Sequence, residues 1–113
     1  MKRNLKQLEQ KVNGAKSKNS KALAYYELGI FHDNNSREKE AIPNYKNALK
    51  LGLPKRVEAM TLAWLASSLY KTNKSKEALM KVRNSLEIAK EPRLIKFLLD
   101  LQRRIQRSMK IEV

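Results

Sequence analysis

The chain has 113 residues, with 25 Lys and Arg against 11 Asp and Glu, and a formal net charge of +14 at pH 7. This length is enough for one domain with a sizeable core. With no Cys and one His, the chain offers no thiolate and no multi-histidine metal site. No stretch approaches about 18 uncharged apolar residues, and the Lys-rich N-terminus does not resemble a signal peptide. We therefore expect a soluble, cytoplasmic protein.

The composition is typical of a helical protein. Gly and Pro occur only three times each, whereas folds built from strands and turns need more of both. Lys, Ala, Leu and Glu dominate, and these residue types favour helices. We predict an all-α fold.

The N-terminal part predicts two helices that differ in apolar surface. A thin apolar stripe indicates an N-terminal helix within residues 1–18. Asn19-Ser20 then offers an N-cap to a helix that is apolar on more than one face. We expect this second helix to be largely buried.

The third helix follows a polar turn. Ser36 is the expected N-cap, because its side chain can accept a hydrogen bond from the first turn. Gly52 suits the left-handed position at the helix end, and Pro54 prevents continuation. These signals predict a helical hairpin formed with the preceding helix.

Three more helices are predicted in the C-terminal half, at residues 55–71, 75–89 and 93–109. The second of them ends before Pro92, because Pro disfavours a helical residue before it. The last is nearly all apolar in its first turns.

Two segments match each other when shifted by 37 residues, so that Gly29 corresponds to Ala66 and Ala41 to Ala78. Small residues therefore recur where two antiparallel helices would cross closely. A bulky side chain there would hold the two backbones apart. The repeat predicts two similar helical hairpins.

These residues resemble the tetratricopeptide repeat, a helix-turn-helix of about 34 residues. The first copy carries the resemblance at Tyr25, Leu28, Gly29, Ala41, Tyr45, Ala48 and Pro54, and the second at Leu62, Leu65, Ala66, Leu69, Ala78 and Val82. The resemblance covers about residues 23–101 and is closest to a group of small bacterial tetratricopeptide proteins. It implies an α-α superhelix.

The resemblance implies a single domain over residues 1–113. Its expected parts are the N-terminal helix (1–18), a first repeat (20–54), a second repeat (55–91) and a C-terminal capping helix (92–110).

Few residues could support catalysis, which needs convergent polar groups of tuned pKa. His32 has Asp33 beside it, but neighbours along a helix face different directions, and no Ser or Cys nucleophile is spaced to meet them. We interpret His32 as a packing residue. Phosphate-binding, zinc-protease and calcium motifs are also missing from the sequence. We predict a protein that is not an enzyme and binds no cofactor and no metal.

Tetratricopeptide proteins line a concave groove with the first helix of each repeat. The resemblance implies groove positions at Leu23, Tyr26, Glu27, Ile30, Asp33 and Asn34 in the first repeat, and at Met60, Ala63, Trp64, Ser67, Tyr70 and Lys71 in the second. Aromatic residues are common binding hot spots, although core packing is an equal alternative for Trp64. The implied function is a protein-interaction or scaffold module that binds a peptide or protein. Tyr26 and Ile30 replace the Lys and Asn that hold a C-terminal carboxylate in some members, so we do not expect that mode of binding.

The positive charge lies mainly at the two ends. Residues 1–21 hold seven basic and one acidic residue, and residues 93–113 hold six and two. We call the six cations of the C-terminal end the basic patch: Arg93, Lys96, Arg103, Arg104, Arg107 and Lys110. The patch could meet an acidic protein, bind nucleic acid as a basic helical protein, or simply solvate a helix face. No nucleic-acid-binding motif accompanies it.

The last helix carries an apolar face at Leu94, Leu98, Leu101 and Ile105, with Ile95 and Leu99 beside it. This is more apolar surface than a lone capping helix needs. We expect part of it to stay exposed and to form a homodimer through a twofold interface.

Overall fold

The computed structural model describes residues 4–111. These residues form six α-helices: α1 (Leu5–Gly14), α2 (Lys18–Asn34), α3 (Glu38–Leu51), α4 (Lys55–Lys71), α5 (Ser75–Ile88) and α6 (Pro92–Ile111). No strand occurs in this range, so the predicted all-α fold is confirmed. None of the six helices is both long and apolar enough to cross a membrane.

The chain divides into two compact units, one ending at Leu53 and the other beginning at Pro54. In the first unit α2 packs against both α1 and α3. In the second unit α4 packs against α5, and α6 packs mainly against α5 and also against α4. The division falls where Gly52, at φ 105°, ends α3 and Pro54 precedes α4. That the two repeats form one domain stays a prediction.

The N-cap of α2 is Ser17, not Asn19-Ser20. The backbone N–H of Ser20 donates to Ser17 Oγ (3.1 Å), and the backbone N–H of Ser17 donates to Ser20 Oγ (3.3 Å). This reciprocal pair satisfies two backbone donors at the start of the helix. The helix therefore begins two to three residues earlier than predicted.

The N-cap of α3 is Arg37, not Ser36, which instead belongs to the turn that ends α2. Ser36 has φ 57°, and the N–H of Arg37 donates to the carbonyl oxygen of His32 (2.8 Å). The same turn ends α4, where Asn73 has φ 65° and the N–H of Lys74 donates to the carbonyl oxygen of Leu69 (2.8 Å). A left-handed residue of this kind satisfies the last carbonyl groups of a helix.

The crossing of α2 and α3 depends on Gly29. Tyr45 of α3 is fully buried, and a Cβ atom at position 29 would lie 2.6 Å from its ring atoms Cδ1 and Cε1. In the second unit the corresponding residues are Ala66 and Val82, both fully buried. Val82 is smaller than Tyr45, and Ala66 is larger than Gly29, so the smaller side chain on α5 leaves room for the larger one on α4.

The apolar face of α6 lies in the core. Leu98, Leu101 and Ile105 are at most 1% exposed, and Leu94 is 9% exposed. Leu99, at 44%, lies beside this face and remains at the surface. α5 and α4 cover the main part of the apolar face. The homodimer through this helix stays a prediction.

The burial pattern of α6 repeats that of α4. Buried apolar residues of α6 lie 36 positions after their counterparts in α4, as Leu98, Leu101 and Ile105 follow Leu62, Leu65 and Leu69. Both sets have the three- and four-residue spacing of one helix face. α6 thus has the pattern of the first helix of a repeat.

Candidate protein-binding site

A cleft of about 610 Å³ opens beside α2 in the first unit. Its lining residues are Leu8, Tyr26, Glu27, Ile30, Phe31, Asn34 and Asn35. We call it the α2 cleft. Four of these residues, Tyr26, Glu27, Ile30 and Asn34, were inferred from the sequence as groove positions. They come together because three- and four-residue spacing places them on one face of α2.

Three lining residues were not inferred from the sequence. Leu8 of α1 is almost fully buried and forms a small core with Val12, Ala24 and Leu28. Phe31 and Asn35 belong to α2 and its C-cap. Helical spacing could have identified these two, since they follow Glu27 at intervals of four residues. The contribution of α1 could not be found in this way, because it depends on tertiary packing.

Two predicted groove residues of α2 do not line the cleft. Leu23 is an exposed side chain elsewhere on the helix. Asp33 is directed towards α3, where its Oδ2 accepts a hydrogen bond from the Tyr45 hydroxyl (2.8 Å). Burial of the Tyr45 ring, followed by the charge and the hydrogen bond of Asp33, raises the pKa of Tyr45 above its ordinary value. Asp33 therefore joins two helices rather than presenting a free carboxylate.

An ion pair between α1 and α2 involves one residue of the cleft wall. Lys11 Nζ donates to both carboxylate oxygens of Glu27, at 3.0 and 2.8 Å. Both side chains are partly exposed, so the pair contributes at most about 1 kcal/mol to stability. Its main effect is electrostatic, because Lys11 compensates the one acidic residue that lines the cleft.

A packed group of side chains lies at the C-terminal end of α2. Arg37 Nε donates to Nδ1 of His32 (3.1 Å), and the Arg37 guanidinium lies over the Phe31 ring, 5.4 Å from its centroid. Burial, and then the charge of Arg37, lower the pKa of His32, while Glu40 and Glu9 oppose this shift. His32 is 8% exposed. An Nδ1 atom that accepts a hydrogen bond from Arg37 is not free to act as a base.

The predicted groove residues of α4 lie in the second unit and differ in exposure. Ala63 is fully buried and does not reach the surface, contrary to expectation, because it packs in the core. Met60, Trp64, Ser67 and Tyr70 are half-buried, and Lys71 is exposed. Trp64 contacts Phe97 of α6 edge to face, with ring centroids 5.2 Å apart. Trp64 therefore packs on one side and keeps part of its surface accessible.

A smaller cleft of about 310 Å³ lies in the second unit. It is lined by Lys55, Arg56, Ala59, Ile88, Lys90, Glu91 and Leu94. None of these was predicted as a groove position. Glu91 accepts a hydrogen bond from Arg56 Nε, which joins the start of α4 to the segment before α6.

The basic patch is exposed on α6 throughout. Among residues 4–111, Arg103 is the member that pairs with a carboxylate, at 3.6 Å from Asp100. In the same part of the chain no three His, Asp or Glu side chains are grouped so that they could hold a metal ion.

The helical hairpins and the exposed faces of their first helices define a helical-repeat protein. A family model described as Tetratrico peptide repeat matches residues 22–110, from the second turn of α2 to the end of α6. The chain therefore belongs to the tetratrico peptide repeat family, and the resemblance found in the sequence is confirmed. Members of this family are generally protein-interaction or scaffold modules without catalytic activity. None of the curated proteins compared with the chain matches it.

Proposed function

We propose that this protein binds a short segment of a partner protein in the α2 cleft. The observation that supports this proposal is the cleft itself, whose walls are mainly apolar and aromatic and whose end carries two amide side chains, Asn34 and Asn35. Binding sites typically combine an apolar lining with a few polar groups that fix orientation. The Asn35 side chain already donates to the carbonyl oxygen of Phe31 (2.7 Å), which leaves Asn34 as the better donor to a peptide backbone.

The size and the residue types of the cleft determine what kind of segment would bind. A volume of about 610 Å³ suits a few side chains rather than a large protein surface. Tyr26 and Phe31 offer aromatic area at low entropic cost, which is typical of binding hot spots. We therefore infer that one or two apolar side chains of the partner enter the cleft.

The corresponding face of α4 carries the predicted groove residues of the second unit. Trp64 and Tyr70 are half-buried there, and Lys71 is exposed. We propose this face as a separate contact surface of the second unit. The high net charge favours an acidic partner, and a cytoplasmic location stays a prediction. We propose no catalytic role, since His32 is engaged with Arg37.

The test is a selection of binding peptides from a random library, followed by titration calorimetry with the selected peptides. The variant carrying Tyr26→Ala and Ile30→Ala should weaken binding about tenfold or more, because each change removes apolar surface from the cleft wall. Leu23→Ala is the matched control, since Leu23 is an exposed residue of the same helix outside the cleft. It should bind like the wild type.

The proposal would be contradicted if the double variant bound the selected peptides as tightly as the wild type while circular dichroism showed both to be folded. A peptide that lost affinity only for variants of α4 would place the binding site on that helix instead.

Nucleic-acid binding is the alternative function. The observation that favours it is the exposed basic patch of α6. It predicts binding to random duplex DNA or RNA with an affinity that falls steeply as salt rises. A partner whose capture survives nuclease treatment would argue against it.

A further inference from the structure

The basic patch forms one continuous face of α6. At 3.6 residues per turn its six members fall within about a third of the helix circumference, on one side of the helix. From Arg93 to Lys110 this face is about 26 Å long, given the helical rise per residue. It lies opposite the buried face that includes Leu98 and Ile105. The helix therefore presents its apolar face to the core and its cations to the surroundings.

The cations of this face are poorly compensated. All six are exposed, and within the described part of the chain one acidic residue, Asp100, lies among them and pairs with Arg103. Six cations and this one anion give the face a net charge of +5. Like charges held close together on one helix repel each other, and an anionic partner would relieve that repulsion.

Apolar side chains lie at both edges of the face. Phe97 is at one edge, four residues after Arg93, and its ring is held against Trp64. Leu99 is at the other edge, between Lys96 and Arg103, and is 44% exposed. A partner that complements this surface needs anionic groups along its centre and apolar groups at its sides.

We propose that this face of α6 docks an acidic segment of a partner protein whose carboxylates and interspersed apolar side chains both contact α6. Arg103, Arg104 and Arg107 can each bind a carboxylate through two parallel hydrogen bonds. Extended, a segment of about eight residues spans the face. The site is separate from the α2 cleft and rests on the proposed function only in that the partner is a polypeptide.

Two observations favour a polypeptide over a nucleic acid or a membrane. Phe97, the aromatic residue beside the six cations, is half-buried and held edge to face against Trp64, which limits its ability to stack on bases. The apolar face that an interfacial helix would insert into lipid is buried against α4 and α5. The apolar edges of the face, in contrast, match the side chains of a peptide.

The experiment measures fluorescence anisotropy with labelled probes at low salt. The main probe is a peptide of about eight residues in which Glu predominates and Leu recurs. The comparison probes are an all-Glu peptide of equal length, random duplex DNA and RNA, and phosphatidylserine-containing vesicles. We expect the Glu-Leu peptide to bind more tightly than any of the comparison probes.

The main variant combines Lys96→Gln, Arg103→Gln and Arg107→Gln, and we expect it to weaken binding of the Glu-Leu peptide about tenfold or more. Its matched control combines Lys74→Gln, Lys76→Gln and Arg83→Gln, three exposed cations of the α5 region. The control lowers the net charge equally and should change affinity less than about twofold, because it leaves the face intact. Leu99→Ser should weaken binding of the Glu-Leu peptide but not of the all-Glu peptide.

Equal losses in the main variant and the control would overturn the inference, since net charge alone would then explain binding. Tighter binding of DNA or RNA, or of the vesicles, would assign the face to that class of partner instead. Absence of peptide binding to the folded wild type would also overturn it. Loss of peptide binding in the cleft variant Tyr26→Ala and Ile30→Ala, with binding retained in the main variant, would support the proposed function and contradict this inference.

Discussion

At the scale of single residues, the two hairpins solve the same packing problem with different side chains. Tyr45 of α3 fills the space left by Gly29, and its hydroxyl reaches Asp33. In the second hairpin Val82 takes the place of the larger Tyr45, and Ala66 takes the place of the smaller Gly29. Exchange of volume between facing positions preserves close packing.

We predict that Gly29→Ala destabilises the first unit by about 1–3 kcal/mol, because the new methyl group would clash with the Tyr45 ring. In a Tyr45→Val background the same change should cost much less, since the ring is absent. Urea unfolding of the single and double variants measures this coupling. Gly14→Ala is the control, because nothing lies within 4 Å of a Cβ atom at that position. Equal costs of Gly29→Ala in both backgrounds would contradict the explanation.

The lowered pKa of His32 predicts that the stability of the first unit depends on pH. Its pKa in the folded chain is lowered from the ordinary value of 6.5, mainly by burial and then by Arg37. The unfolded chain therefore takes up a proton before the folded chain does, and stability falls as the pH drops below the ordinary value. Above the ordinary pKa, His32 is neutral in both the folded and the unfolded chain, and its contribution to stability is fully present.

We predict that the melting temperature of the wild type falls between about pH 7.5 and about pH 5.5, and that His32→Leu reduces this fall. Leu is the matched substitution, because Leu69 occupies the corresponding position of the second repeat. Thermal unfolding followed by circular dichroism at several pH values provides the measurement. Identical pH profiles of the two proteins would show that His32 does not cause the fall in melting temperature.

At the scale of the helices, the two hairpins end their first helix with the same left-handed turn. Ser36 and Asn73 have positive φ, and the next N–H closes back on His32 and Leu69. The sequence indicates a polar turn at both places. It does not identify the left-handed residue in the first, because Ser rarely adopts this conformation. Ser36 is held there by the hydrogen bonds at the end of α2.

Because one face of α6 lies in the core, substitutions of the neighbouring residues Leu98 and Leu99 should differ strongly in their effect on stability. Leu98→Ala should destabilise the second unit by about 2–5 kcal/mol, because it leaves a cavity in the core. Leu99→Ala should change stability by less than about 0.5–1 kcal/mol, since Leu99 is 44% exposed. Chemical denaturation compares the two variants. A small effect of Leu98→Ala would mean that α6 is not packed in the core.

At the scale of the whole molecule, charge and the two proposed binding surfaces are distributed between the two units. The α2 cleft belongs to the first unit, where Lys11 neutralises Glu27. The basic patch belongs to the second unit and carries a large share of the net charge of +14. The net charge of the whole chain therefore does not describe the local charge of either surface. Each surface is characterised by its own exposed side chains and by the carboxylates near them.

The sequence alone predicts the helices, the repeat and the family, because helical periodicity, caps and the small residues at Gly29 and Ala66 are local signals. It also places Tyr26 and Ile30 on one face of α2. Only the tertiary structure shows that α1 adds Leu8 to the cleft and that Leu98 is buried, since an apolar stripe does not specify which element covers it. The physical reason is that periodicity fixes which residues share a face, whereas burial depends on contacts between residues distant in sequence.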